Sequence, residues 1–267
     1  MSAKSITFNS FSLQDDNFRT RDIIYRNLPS KTIDLESIAR RDGFRYVNSY
    51  YTDKRISIVG TVTRDTIANL KISVDAMKEA LNVDESNLDI DDNGTTVRWV
   101  ASVERLDVPE EFYHITRIPY EIVFLCQPLG KATTTTNDSK TITEASAAPY
   151  LNTFDPTGSA PPLPVIKYTA DGIPTTAITQ IKFENTTTTE SITVSSLAID
   201  ASGDYLEIDI ENMTVKVSHD GGAAAEVDFS GVFPTFKATS NSYSVTITGG
   251  GATWTLEQDI DYYVSTL

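Results

Sequence analysis

Cysteine and histidine are scarce in this 267-residue sequence, which has one cysteine and two histidines. Because Cys126 stands alone it excludes an internal disulfide, and its place at the end of an apolar run predicts a buried structural thiol. With only His114 and His219 available, a zinc site of the usual His/Cys type has almost no ligands. The sequence also lacks a Gly-rich phosphate loop and a Gly-x-Ser-x-Gly elbow. We therefore expect no metal, no cofactor and no catalytic residue.

Long apolar runs are absent as well. No segment approaches the roughly 18 apolar residues that a membrane helix needs, and the first residues lack the apolar core of a secretory signal. We expect neither a membrane segment nor an export signal. The formal net charge is −15, which argues against nucleic-acid binding because phosphate is held mainly by lysine and arginine.

The charge is unevenly distributed along the chain. Up to Lys131 there are 17 basic and 20 acidic residues, a net of −3, whereas from Ala132 onward there are 5 basic and 17 acidic residues, a net of −12. Every arginine lies at or before Arg117. This break predicts a domain boundary near residue 132.

The segment after the break has the composition of a connection. Residues 133–158 are rich in Thr, Ser, Ala and Pro and lack sustained periodicity, so we predict an exposed linker there. The prediction is therefore a first domain over residues 1–132 and a second over residues 159–267.

Periodicity predicts a mainly β protein with one helix. Spacings of three and four predict that the helix, capped by Asp65 or Thr66, buries Ile67, Leu70, Val74, Met77 and Leu81. Period-two alternation predicts first-half strands over 55–62, 87–90, 96–103 and 120–125. Short Thr-, Val-, Ile- and Tyr-rich segments predict second-half strands over 165–169, 178–183, 191–194, 205–210, 214–217, 242–248 and 252–258. We expect a sandwich or barrel-like first domain and an antiparallel β-sandwich as the second.

Two short motifs suggest chemistry but are better explained by turns. The string Asp89-x-Asp91-x-Asn93-Gly94 resembles the opening of a calcium loop, yet Val100 occupies the twelfth position, where that loop needs a glutamate. Its Asn-Gly pair instead predicts a tight β-hairpin. The run Ser218-His219-Asp220 lies at a turn, where adjacent side chains point apart and form no triad.

Two groups of side chains are candidates for binding. Trp254, Tyr262 and Tyr263 are a candidate sugar-stacking platform, with packing in the core or at an edge as the alternative. Arg40, Arg41 and Asp42 are a candidate subunit contact, because arginine suits interface pairing, with a solvated turn as the alternative.

The order of segments resembles that of the siphophage distal tail proteins. In the first half the resemblance is carried by Ser5–Phe11, Arg40–Gly43, Lys54–Gly60, the helix, Asn87–Ile90, Val97–Val103 and Tyr120–Leu125 with Pro128. In the second half it is carried by Gly203–Ile208, Met213–Val217, Phe229–Pro234 and Asn241 ahead of Ser242–Thr248.

The resemblance implies a virion protein that forms a homo-hexameric ring through its amino-terminal domains, where the tail tube meets the tip. Its partners would be the tail tube protein and the tip hub protein, and DNA would pass through the lumen without specific binding. The carboxy-terminal domain would resemble galectins or carbohydrate-binding modules and lie on the outside. The charge partition agrees with this arrangement. The family supplies no catalytic residue.

Three functions are therefore compared. The leading hypothesis is a structural hub of the phage tail, for which self-association is the activity. The second is an adhesin module that binds a host surface glycan through Trp254 or the terminal tyrosines. The third, a cell-wall hydrolase, has no nucleophile, metal cluster or carboxylate motif to support it.

Overall fold

The computed structural model describes residues 5–37, 44–92, 94–109, 116–144, 148–172, 174–219 and 221–266. Within these residues the chain forms twenty strands and one helix, so the predicted mainly β fold with a single helix is confirmed. The chain divides into two compact units, of which the first extends to Thr133 and the second spans Thr134–Ser265. No helix in the described part of the chain is long and apolar enough to cross a membrane.

The first unit contains nine strands, one helix and the beginning of a tenth strand. The strands are β1 (Ile6–Phe8), β2 (Phe11–Ser12), β3 (Phe18–Ile24), β4 (Lys31–Ser37), β5 (Phe44–Tyr51), β6 (Lys54–Thr63), β7 (Ser86–Asp92), β8 (Thr95–Asp107), β9 (Arg117–Cys126) and the start of β10 (Gly130–Thr143). Seven of them form one antiparallel sheet in the order β3, β6, β9, β8, β7, β1, β2. Strands β4 and β5 pair only with each other among the described strands.

Helix α1 (Ile67–Leu81) packs its apolar face into the core of the first unit. Four of the five predicted positions are buried, whereas Ile67 in the first turn is 40% exposed. The hydroxyl of Thr66 accepts a hydrogen bond from the amide of Asn69 at 3.2 Å, which confirms Thr66 as the cap. Cys126 is buried in the same core, as predicted.

The calcium-like string is a β-hairpin, as predicted. Strands β7 and β8 pair in register up to Asp92 opposite Thr95, and Gly94 has a φ of +87°. The Asp91 carboxylate accepts a hydrogen bond from the amide of Gly94 at 2.7 Å. Nε and Nη2 of Arg98 donate to the two carboxylate oxygens of Asp89. The Asp91 carboxylate therefore stabilises the turn, and the Asp89 carboxylate stabilises the pairing of β7 with β8.

The second unit is an antiparallel sandwich, as predicted. It takes in most of β10 and the strands β11 (Tyr150–Phe154), β12 (Val165–Ala170), β13 (Ile178–Asn185), β14 (Glu190–Ile199), β15 (Tyr205–Asp209), β16 (Thr214–Ser218), β17 (Ala225–Glu226), β18 (Phe229–Gly231), β19 (Asn241–Gly249) and β20 (Thr255–Thr266). One sheet has the order β11, β19, β13, β14, β18, and the strands facing it follow the order β17, β16, β15, β12, β20, β10. Their inward residues form a single buried cluster.

The predicted linker over residues 133–158 is wrong in its secondary structure. Strand β10 continues to Thr143, strand β11 covers Tyr150–Phe154, and both contribute buried residues, Ile142 and Phe154, to the sandwich core. Threonine is β-branched and favours extended structure. Part of β10 faces water on both sides and is rich in threonine. Its composition is therefore the same as that of an exposed linker.

A buried polar chain crosses the core of the sandwich. The Tyr243 hydroxyl donates to Gln258 Oε1 at 2.9 Å, and Gln258 Nε2 donates to the Tyr168 hydroxyl at 3.0 Å. All three side chains are fully buried, and burial raises the pKa of both tyrosines. Each of these hydrogen bonds needs one particular partner side chain. The three linked side chains therefore fix how β12, β19 and β20 pack.

Candidate functional surfaces

The β4–β5 hairpin places apolar side chains in solvent. Lys31 pairs with Tyr51, Ile33 with Ser49 and Leu35 with Tyr46, and cross-strand partners share a face of a two-stranded sheet. The apolar residues of this face are 53% exposed at Ile33, 56% at Leu35, 59% at Tyr46 and 37% at Tyr51. We call these four residues the apolar hairpin face.

Local contacts order this face without covering it. The Tyr46 hydroxyl donates to Ser49 Oγ at 2.8 Å, and the Lys31 ammonium lies 5.6 Å from the centre of the Tyr51 ring. At the base of the hairpin, the amide of Ser30 donates to the Asp53 carbonyl and the amide of Thr52 to the Ser30 carbonyl. None of the four residues of the apolar hairpin face belongs to the buried core of the first unit.

Sequence reasoning missed this face, although the sequence carried the signal. Ile33 and Leu35 alternate with Thr32, Asp34 and Glu36, as in a strand with one apolar side. The predicted subunit contact, Arg40, Arg41 and Asp42, lies between β4 and β5 in sequence and outside the described residues. Its role stays a prediction.

The predicted sugar platform is not one surface. Tyr262 is 4% exposed, and its ring packs edge-on against Phe154 with centroids 5.0 Å apart, so it is part of the core. Tyr263 is 40% exposed and follows Tyr262 in β20. Trp254 lies just before the start of β20, nine residues ahead of Tyr263. At about 3.3 Å per residue, Trp254 and Tyr263 are too far apart to contact one sugar ring.

Trp254 itself lines an open depression of about 450 Å³ on the second unit. Its other lining residues are Thr143, Glu144, Gly172, Ala252, Thr253 and Thr255. The ring also packs against the sandwich core and against the backbone of Gly250, where a Cβ would overlap the indole. Of the three predicted aromatics, Trp254 is therefore the one that both lines a concavity and has a fixed ring.

The Ser218–His219 turn has no catalytic arrangement among its described residues. The Ser218 hydroxyl donates to the carbonyl of Gly222 at 2.8 Å, and His219 Nδ1 lies 3.6 Å from the buried Asp204 carboxylate. Asp204 in turn accepts hydrogen bonds from the amides of Asp200 and Ala201, so it organises the turn. Asp220 lies outside the described residues.

Comparisons with known proteins give a family match for the first unit. Residues 6–126 match the family of the phage tail protein RIFT-related domain. The first unit of this chain is therefore similar to that family of phage tail proteins. No curated protein matched the sequence.

Solved structures give the fold of the whole chain. The Dit protein of phage SPP1, described as a paradigm of the hub adsorption apparatus in phages that infect Gram-positive bacteria, is 14% identical over 99% of both chains, with a TM-score of 0.68. The expected resemblance to siphophage distal tail proteins is confirmed. Two baseplate structures of phage P2 in its activated conformation are more distant. The calcium form is 9% identical over 97% of both chains, with a TM-score of 0.43. The strontium form is 10% identical over 96% of this chain and 97% of that chain, with a TM-score of 0.40.

Proposed function

We propose that this protein is a structural component of the phage tail tip that assembles into a ring, six copies in the leading arrangement, between the tail tube and the tip hub. The observation that carries the proposal is the apolar hairpin face on a unit that matches the family model of a phage tail protein domain over residues 6–126. The fold shared with a protein described as part of a hub adsorption apparatus supports the same position in the virion.

The hairpin needs a partner for physical reasons. An isolated two-stranded sheet is marginally stable in water, and β4 and β5 pair with no other described strand. Burying an Ile, Leu or Tyr side chain completely contributes about 1.5–3 kcal/mol, so covering the exposed half of each residue contributes on the order of 1 kcal/mol. Four such residues together make a substantial contact.

A second copy of the chain is the partner that fits a ring. When a projecting hairpin docks on a different surface of the next copy, the contact is heterologous and repeats around a circle until it closes. The arginines of the first half add side chains suited to interface pairing. The strongly acidic second half, from Ala132 onward, is suited to solvent.

A ring at this position encloses the route of the genome. The first half, up to Lys131, has a net charge of −3, and a wall without net positive charge holds phosphate weakly, so DNA passes without specific binding. The remaining partners in this proposal are the tail tube protein on one side and the tip hub protein on the other.

The test is the mass and shape of the purified full chain. Light scattering combined with negative-stain microscopy should reveal a closed ring of about six copies, as expected for a heterologous contact that closes. A chain that stays monomeric at high protein concentration contradicts the proposal.

A second candidate function is binding of a host surface glycan, and the depression at Trp254 favours it. A flat ring covers the apolar face of a pyranose, and the surrounding hydroxyls exchange hydrogen bonds with the sugar. Trp254→Ala should abolish binding on a glycan array if the sugar is held in this depression, and unaltered binding contradicts a site at Trp254.

A further inference from the structure

A second concavity on the sandwich lies where the chain crosses from β17 to β18. It is a notch of about 500 Å³ on the outer side of β14. We call it the Phe229 notch, and its lining includes Ser195, Ser196, Glu226, Asp228, Phe229 and Ser230. The Phe229 ring is 41% exposed, and its edge-to-face contact with Phe233, at 5.0 Å between centroids, holds it in place.

The notch exists because β18 stops short. Strand β18 pairs only with Ile192–Val194, so the remainder of β14 has no described strand on that side. There the register against β13 shifts, with Ser195 opposite Gln180 and Ile199 opposite Ile178. Within this irregularity Ser196 has a φ of +61°, a left-handed conformation that is uncommon for a residue with a side chain. Such strain is kept where the local shape matters, and here it shapes one wall of the notch.

The polar groups of the notch select the ligand. The lining offers the hydroxyls of serines and of Thr193 and the carboxylates of Glu226 and Asp228, and none of its described residues is basic. Lys216 is the cross-strand partner of Glu226 but does not line the notch. Ionised carboxylates only accept hydrogen bonds, so the ligand must bring donors. The exposed ring requires that it also bring an apolar face.

A neutral saccharide meets both requirements. Its hydroxyls donate to the carboxylates and exchange hydrogen bonds with the serines, while the C–H face of a pyranose covers the Phe229 ring. An anionic polymer is disfavoured because it meets two carboxylates in the notch and a net charge of −12 from Ala132 onward. An extended peptide is disfavoured because the irregular edge at Ser196 interrupts the backbone ladder that strand addition needs.

We infer that the Phe229 notch is a binding site for a neutral saccharide, with the Phe229 ring as the stacking platform and Asp228 and Glu226 as acceptors. The inference rests on the second candidate function, glycan binding, and places a saccharide site in a concavity separate from the depression at Trp254. It is independent of ring assembly.

The experiment is saturation-transfer NMR and calorimetric titration of the full chain. The probes are oligosaccharides of glucose, galactose and N-acetylglucosamine, with poly(glycerol phosphate) as the anionic comparison and an oligolysine peptide as the cationic one. Phe229→Ala tests the platform, and Asp228→Asn tests an acceptor with almost no change in shape. Met213→Ala, at a 68% exposed residue outside the lining, is the matched surface control.

The inference predicts that at least one neutral oligosaccharide binds and that its affinity hardly changes with salt. Phe229→Ala and Asp228→Asn should each weaken binding about tenfold or more, while Met213→Ala and Trp254→Ala leave it unchanged. No binding of any neutral probe overturns the inference, and so does preferential, salt-sensitive binding of the peptide. Loss of binding in Trp254→Ala alone also overturns the site at the Phe229 notch, and in that case it supports glycan binding at Trp254 instead. Light scattering on the same samples reports the ring proposal separately.

Discussion

The β4–β5 hairpin of the first unit and the core of the second unit place apolar and polar side chains in opposite ways. The first unit leaves Ile33, Leu35 and Tyr46 more than half exposed on one face of a hairpin. The second unit buries three polar side chains, those of Tyr168, Gln258 and Tyr243, and joins them by hydrogen bonds. Exposed apolar surface is completed by association, whereas a buried, fully bonded network is complete without a partner. The comparison supports the proposal that the first unit contacts other chains through this face, whereas the polar network in the core of the second unit finds its hydrogen-bonding partners within that unit.

The largest expected effect is on assembly. Replacing Ile33 and Leu35 together by aspartate puts two charges into the proposed contact, so self-association should weaken on the order of 100-fold or more. Analytical ultracentrifugation over a concentration series measures it. The matched control replaces Thr32 and Asn48 by aspartate, which adds the same charge to the opposite face of the hairpin. Equal weakening in both double variants would show that charge alone, and not the apolar hairpin face, controls assembly.

A smaller effect is expected from breaking the buried network of the second unit. Gln258→Leu leaves two buried tyrosine hydroxyls without their partner, which should destabilise the sandwich by about 2–4 kcal/mol. The sequence has two tryptophans, Trp99 in the first unit and Trp254 in the second, so a Trp99→Phe background makes fluorescence a reporter of the sandwich. Urea unfolding in that background gives the free energy.

Gln180→Leu is the control for this measurement. Gln180 lies on β13, and its amide donates to Ser195 Oγ at 2.9 Å on the exposed side of the sheet. The same substitution there should cost less than about 1 kcal/mol. Similar losses in the two variants would mean that the buried network contributes nothing special to the sandwich.

The smallest effect is expected at alkaline pH, in the first unit. Burial raises the pKa of the Cys126 thiol to about 12, from an ordinary value of 9.0. Between these values the unfolded chain loses the thiol proton and the folded chain keeps it, so the stability contributed by the neutral thiol falls as pH rises. The free energy of unfolding should therefore decline more steeply above pH 9 in the wild type than in Cys126→Ala. Trp99 fluorescence in a Trp254→Phe background measures it, and parallel pH profiles would contradict the buried thiol.

The sequence predicted those elements in which local residues or a single buried face determine the structure. Helix α1 is such a case, since Leu70, Val74, Met77 and Leu81 face one core and Thr66 satisfies the first turn. The β7–β8 hairpin is another, because its turn is set by local residues such as Gly94, which has a φ of +87° and donates to Asp91. Ile67 departs from its pattern because the first turn of the helix projects past the core.

Other features depended on tertiary context. The sequence of strand β10 has the pattern of a linker because residues 133–137 are exposed, so the alternation that marks a strand is absent there. The predicted sugar platform places Tyr262 beside Tyr263. Neighbouring residues of a strand point to opposite sides of the sheet, however, and only Tyr262 contacts Phe154. The apolar hairpin face was missed because exposure is decided by which strands pair, and β4 and β5 find no third strand among the described ones. The Phe229 notch depends on where β18 ends, which no local pattern encodes.

The most direct test of the contrast between the units is hydrogen–deuterium exchange of the full chain at low and at high concentration. Assembly through the first unit predicts that amides of β4 and β5 exchange more slowly at high concentration, while those of β12–β20 do not change. Unchanged exchange in the hairpin, or new protection confined to the strands of the sandwich, would contradict the account.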